Sequence, residues 1–316
     1  MAPDAALLAL GLALRQAHYR HVTVTPATHQ RVARRPHAGV VRLADVFGWS
    51  RQFRDGDLPA EIVALMRAAG VLRADGDGWR STVRVSSLDG QLYFHSAYPT
   101  SAANAVFFGP DTYRFVRALH AALGDRPIGR AVDIGCGAGP AAIAIALHSP
   151  AAEVLAVDIN NDALRLAAVN AALAGAGNVR TLHSDLLAGA DGKFDLIVAN
   201  PPYLLDPCER AYRHGGGELG EGLSQRIVAT ALERLAPGGR LLLYTGVAIV
   251  DGHDPFLARI APLLRAIGAD WSYEEIDPDV FGEELDEAEY RCAERIAAVW
   301  LTVRRPDSTV RASMGE

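Results

Sequence analysis

Val132-Asp133-Ile134-Gly135-Cys136-Gly137-Ala138-Gly139-Pro140 is the stretch that decides the fold of this 316-residue chain. The apolar run 131–134 reads as a buried strand that enters three alternating glycines and then a helix. Glycines serve where the backbone must turn sharply and admit a ligand closely. The helix that follows points its free N–H groups at that ligand. Pro140 suits a first helical turn, where a missing N–H costs nothing. Working outward, strands and helices alternate, which argues for an α/β fold with a parallel sheet. Strands are expected at 131–134, 153–157, 179–183, 194–199, 240–244, 271–276 and 296–303. Helices are expected near 141–148, 162–174, 223–235 and 256–267.

The first 105 residues follow another pattern. Helices are expected over 5–19, 42–47 and 59–69. Two β-like stretches follow, 79–85 and 91–95, joined by a hairpin turn at Asp89-Gly90. Helices followed by a hairpin suggest a winged-helix-like α+β unit. The expected division is therefore 1–105, a substrate-binding or dimerising module, and 106–316, a cofactor-binding catalytic part.

Composition narrows the class. Half of the residues are hydrophobic and 22% are charged, as in ordinary globular chains. Cys136, Cys208 and Cys292 are too scattered for a disulfide framework or a zinc site, and no histidine shows metal-ligand spacing, so no metal is expected. The apolar run 5–14 follows Asp4 with no preceding Lys or Arg, so it reads as a buried helix rather than a leader or a membrane span. A cytoplasmic protein with reduced thiols is the resulting expectation. Net charge is −6, distributed as 12 Arg against 8 acids up to residue 105 and 19 basic against 29 acidic residues after it. A surplus of four positive charges without interleaved aromatics is a faint basic patch, so nucleic acid is not the favoured partner.

The glycine turn also fits the loose dinucleotide fingerprint when read from Gly137, so a nicotinamide-dependent dehydrogenase is a rival reading. Two acids decide against it. Asp133, two residues before Gly135, would repel a pyrophosphate but attract a cofactor bearing an ammonium and a sulfonium. Asp158, about 20 residues beyond the glycines at the end of the next strand, can accept both ribose hydroxyls. Asp185 ends the third strand. All three acids fall at the carboxyl ends of successive strands, where open α/β sheets bind ligands.

Asp195-Leu196-Ile197-Val198-Ala199-Asn200-Pro201-Pro202-Tyr203 carries the reaction. The prolines stop strand pairing and stiffen the loop. The Asn200 side-chain carbonyl and the Pro201 backbone carbonyl can each accept one N–H bond from a planar amide or amine. That would localise the nitrogen lone pair, while Tyr203 stacks on the planar group.

These motifs resemble those of the class I S-adenosylmethionine-dependent methyltransferases, over about residues 107 to 303. The resemblance implies a Rossmann-like seven-stranded sheet closed by an antiparallel strand, S-adenosyl-L-methionine as cofactor and S-adenosyl-L-homocysteine as product. It assigns cofactor binding to Asp133, Gly135, Gly137, Gly139, Asp158 with Ile159, Asp185 with Leu186, and Asn200. Within the class, Asn200-Pro201-Pro202-Tyr203 is most similar to the release-factor glutamine methyltransferases. Phe107-Phe108-Gly109-Pro110-Asp111-Thr112 resembles their segment bordering cofactor and substrate. The expected function is N-methylation of a planar nitrogen, foremost a protein glutamine; an RNA or DNA amino group and a small molecule of secondary metabolism are the alternatives. Catalysis is expected from Asn200, Pro201 and Tyr203, with Phe108, Pro110, Asp111, Thr112, Pro202, Arg213 and His214 at the acceptor. The glycines of Tyr212–Gly217 are read as giving a mobile loop. Asp277, Asp279, Glu283 and Glu284 are read as a solvated face rather than a cation site. His95–Tyr98 is expected near the substrate mouth. A homodimer through the amino-terminal part, a protein or small-molecule acceptor, and no membrane partner complete the expectations.

Overall fold

The computed structural model describes residues 1–35 and 39–307. The chain begins with helices α1 (Pro3–Gln16), α2 (Pro26–Ala33), α3 (Leu43–Phe47) and α4 (Ala60–Ala68). Leu7, Leu10 and Leu14 recur at helical spacing, so α1 buries one apolar stripe. α2 escaped the sequence reading because its stripe is weak. It is started by Pro26 and by Thr25, whose side chain accepts from the Thr28 amide.

Two hairpins follow: β1 (Leu72–Asp75) with β2 (Gly78–Ser81), and β3 (Val83–Leu88) with β4 (Gln91–Ser96). The expected single strand over 79–85 is thus two strands of different hairpins. The break is local. Thr82 pairs outside both hairpins, its amide donating to the Val71 carbonyl, while Ser81 Oγ turns back on Val83. The turn between β3 and β4 is the expected one, with Asp89 at φ 50 and Gly90 at φ 76, both in the left-handed region that a tight hairpin demands.

Helix α5 (Pro110–Leu123), also unforeseen, leads into the alternating part: β5 (Arg130–Ile134), α6 (Pro140–His148), β6 (Glu153–Asp158), α7 (Asn161–Ala174), β7 (Val179–His183), β8 (Phe194–Ala199), α8 (Gly222–Arg234), β9 (Leu235–Ile249), α9 (Pro255–Ala266), β10 (Asp270–Asp277) and β11 (Arg295–Arg304). The seven strands lie in the order β10-β11-β9-β8-β5-β6-β7. β7, β6, β5, β8 and β9 run parallel, and β11 runs antiparallel to both its neighbours. This is the doubly wound α/β sheet that the sequence pattern predicts. The strand order reverses between β5 and β8, and ligands bind above the carboxyl ends at such a switch point.

The amino-terminal elements pack directly on this sheet's helices. A Cβ on Gly11 would stand 2.6 Å from Leu173 Cδ2, so a larger residue there would force that side chain to shift where α1 meets α7. Asn170 of α7 is fully buried and fully bonded. Its amide pairs with both the N–H and the C=O of Phe94 in β4, at 2.8 and 3.1 Å, and donates to the Ala138 carbonyl at 2.9 Å. One side chain therefore joins the hairpin to the glycine turn. Among the described residues, no helix is long and apolar enough to cross a membrane.

Candidate functional site

A cavity of about 430 Å³ opens over the ends of β5, β6, β7 and β8. The glycine turn forms its floor. Gly135 and Gly137 have φ of 69° and 53°, and a Cβ on either would meet no protein atom within 4 Å. Their amides are fixed: Gly135 donates to Val157 at 2.9 Å and Gly137 to Asp158 Oδ2 at 3.0 Å. Gly139, at φ 81°, lies below the wall instead, where a Cβ would press within 3.1 Å of Ala167. Its role is helix packing.

The acids differ in environment. Asp133 is buried, and its Oδ2 accepts from the Ala142 amide at 3.1 Å. Burial, with a smaller contribution from nearby Asp158, pushes its carboxyl from 3.8 up to about 7. Asp158 accepts from Gly137 and Asn160 amides, and burial moves it in the same direction. Asp185 stands at the rim, largely exposed, paired to Arg226 at 3.1 Å. Ile159, also exposed, and Leu186, at φ 50°, complete this side.

Asn200 follows β8 and faces the same cavity with Pro201, Pro202 and Tyr203. The Asn200 side chain has no hydrogen-bond partner among the described residues. Tyr203 is buried and held from three sides. Its hydroxyl donates to Asp111, its ring meets Phe281 edge-on at 5.8 Å, and Gly246 backs it so closely that a Cβ there would lie 2.2 Å from ring carbons. Asp111 also accepts from Tyr244 at 3.0 Å and Arg114 at 2.9 Å, and Arg114 continues to Asp277 at 3.0 Å. The carboxylate expected at the acceptor is therefore occupied in fixing Tyr203.

Of the other expected acceptor residues, Pro110, Thr112 and Arg213 line the cavity. Phe108 does not; it is buried against His95 at 5.1 Å, and its neighbour Phe107 takes the wall position, stacked on Tyr212 at 6.0 Å. His214 is also turned away, with Nδ1 accepting from the Asp206 amide. Of the glycines after it, Gly215 and Gly217 are closely packed, and Gly216 has a left-handed φ of 68°. A Cβ on Gly215 would lie 1.9 Å from the Gly220 carbonyl, and the Gly222 amide donates to Gly216. His95 is fully buried, and Tyr98 faces a different cavity.

The sequence reading missed two walls. Thr25, Pro26 and Ala27, at the start of α2, close one side. Asp279, Val280, Phe281 and Glu283 close another, and Glu284 pairs with Arg213. Asp279 and Glu283 are exposed on this wall, as a solvated face would be, while Asp277 and Glu284 are engaged by Arg114 and Arg213. The signal for the wall was Val280-Phe281, two apolar residues inside an acidic run. Among the described residues no cluster of His, Cys, Asp or Glu could hold a metal ion.

The cavity suits a cationic adenosyl cofactor. The buried Asp133 and the partly buried Asp158 stand beside two glycines whose missing side chains leave room for a ligand. Comparison with known proteins agrees. Residues 111–248 match the methyltransferase small domain family. The chain is 35% identical over 255 residues to the release factor glutamine methyltransferase of Deinococcus radiodurans, covering 71% of this chain and 85% of that one. It is 39% identical over 135 residues to the ribosomal protein uL3 glutamine methyltransferase of Xanthomonas campestris pv. campestris, covering 39% of this chain and 44% of that one. The structure of M. jannaschii TYW2 in complex with AdoMet superposes with a TM-score of 0.50 at 15% identity, covering 72% of this chain and 87% of that one, a likeness of fold alone.

Proposed function

The chain belongs to the release factor glutamine methyltransferase family of S-adenosylmethionine-dependent enzymes, and from that premise we propose that it methylates the side-chain amide nitrogen of a glutamine in a protein. One observation carries the reading: Asn200, with a side chain that has no hydrogen-bond partner among the described residues, opens onto the same cavity as Asp133, Asp158 and the glycine turn.

When bound, S-adenosylmethionine supplies an electrophilic methyl group on a positively charged sulfur. The residues that would hold it are Asp133, Gly135, Gly137, Asp158 and Ile159, with Asp185 and Leu186 at the rim. Asn200 and Pro201 offer two carbonyl acceptors, enough to hold both N–H groups of a primary amide. Those bonds draw the nitrogen away from planarity and free its lone pair. The Tyr203 ring, fixed by Asp111, Phe281 and Gly246, supports the acceptor's planar group. Positioning of this kind is the main contribution asked of the protein, because the reacting carbon is already activated.

The test is incubation with tritiated S-adenosylmethionine and fractionated cell extract, followed by peptide mapping of labelled protein. Label in one glutamine, absent with Asn200→Ala, is the expected result. Label in RNA or in small molecules instead would overturn the assignment of the acceptor.

A further inference from the structure

A second cavity, of about 450 Å³, lies in the amino-terminal part between α2, the segment 49–52, Arg80 and Tyr98. Its size falls within the range of small-molecule sites. Three aromatic rings meet there. His29 stacks on Tyr98 with ring centroids 4.0 Å apart, and Trp49 leans on His29 at 5.3 Å. Two buried polar atoms of the lining have no partner, His29 Nδ1 and Arg51 Nε. Buried groups of this kind cost free energy unless something satisfies them.

The charge balance favours an anion. Among the described residues no carboxylate lines the cavity. Arg80 is matched by Asp75 at 2.7 Å, but Arg51 makes no ion pair among the described residues. Behind the rings, Arg84 is buried over Tyr98 at 6.0 Å, also without an ion pair among the described residues. Outside, Arg31, Arg34 and Arg35 are exposed along and just after α2. Residues 31–54 hold six arginines against one acid.

The pattern of donors and acceptors narrows the anion. Burial and neighbouring Arg84 lower the His29 pKa to about 4, so the ring is neutral. A neutral imidazole has one donor and one acceptor nitrogen, and Nδ1 is the one left without a partner. Arg51 Nε is a donor. A carboxylate would satisfy Arg51 but has no face for the aromatic wall. A nucleobase edge offers both donors and acceptors, has a face for the aromatic wall, and carries a phosphate for the arginines.

We infer that this cavity is a nucleotide-binding site, with a base laid against His29, Trp49 and Tyr98 and a phosphate held by Arg51. The site is separate from the methyl-transfer cavity and stands or falls independently of which acceptor is methylated. The nucleotide is either free or part of a single-stranded RNA. In the second case Arg34 and Arg35 would meet the neighbouring phosphates.

The experiment uses the full chain saturated with S-adenosylhomocysteine, so that the first cavity cannot take the probe. Uridine 5′-monophosphate, hexauridylate and inorganic phosphate are titrated by calorimetry. Uridine 5′-monophosphate should bind at least tenfold more tightly than phosphate, and Arg51→Gln should weaken it at least tenfold with S-adenosylhomocysteine affinity unchanged. As a check that does not depend on the variant's folding, the His29 ring resonances of the wild-type protein should shift on adding the nucleotide, while those of exposed His253 stay still. Tighter binding of hexauridylate, with a salt slope reduced by about 1.4 in Arg34→Gln/Arg35→Gln, would identify RNA; equal binding of the mononucleotide would identify a free nucleotide. Phosphate binding as well as the nucleotide, no nucleotide binding in the saturated protein, or binding that leaves His29 unmoved would each overturn the site.

Discussion

Cofactor affinity should rise with pH, and Asp133 should be the reason. In the free protein this carboxyl is buried beside Asp158 and titrates at about 7 rather than 3.8. It therefore holds its proton at mildly acid pH. A cationic ligand favours the ionised form, so binding at low pH must expel that proton. If Asp133 is fully ionised in the complex, affinity for S-adenosylhomocysteine should climb about tenfold per pH unit up to 7 and then level off. Proton release should be about 0.9 per site at pH 6, about 0.5 at pH 7 and about 0.1 at pH 8. Calorimetry in buffers of different ionisation enthalpy measures both quantities. Asp133→Asn should bind about 10- to 150-fold more weakly at pH 8, the loss of a hydrogen bond to a charged group, and without the slope. Titration of the ligand itself is common to both proteins and cancels in the comparison. Without ligand the trend has the opposite sign. The folded-state value lies above the unfolded one, so this group's stabilisation is fully present below about pH 4 and is lost as pH rises through 7. An affinity that stays level in the wild type from pH 5.5 to 8, or an Asn variant that keeps the wild-type slope, would refute the reasoning.

Three further outcomes follow from contacts described above. Asn200→Ala should keep S-adenosylhomocysteine affinity within a few fold and abolish most turnover, whereas Asp158→Ala should weaken cofactor binding first; small and equal effects from both would contradict the assigned roles. Gly246→Ala drives a methyl into the Tyr203 ring, which Asp111 and Phe281 prevent from moving aside. Overpacking costs about 1–3 kcal/mol, and if it falls on the transition state kcat should drop about 5- to 150-fold, as steady-state kinetics with unchanged cofactor affinity would reveal. Asn170→Ala strips the Phe94 backbone of its buried partners; a loss of about 2–4 kcal/mol should lower Tm by about 3–6 °C in a calorimetric melt.

The alternating part of the fold was legible because its signals are local. A strand buried on both faces reads as a short apolar run, and a glycine turn or a Pro-Pro stop is written in consecutive residues. The strand at 194–199 was placed with its observed bounds for this reason, and the edge strand at 179–183, which is polar and partly exposed, was placed by the alternation around it. α2 was not, since it carries almost no apolar stripe and its start rests on a hydrogen bond to Thr25; α5 was not, although Phe115, Val116, Leu119 and Leu123 recur on one buried face.

The linear chain thus determined the sheet, the three strand-end acids and the Asn-Pro-Pro-Tyr loop, all of which depend on neighbours a few positions apart. Tertiary structure alone decided that Asp111 serves Tyr203, that Phe107 rather than Phe108 reaches the wall, and that Val280 and Phe281 close it. It also gathered His29, Trp49 and Tyr98 around one cavity beside a basic helix that, along the sequence, had no aromatic company. Such outcomes hang on which way a side chain points once distant segments pack, and that direction is set by neighbours from 20 to 105 positions away.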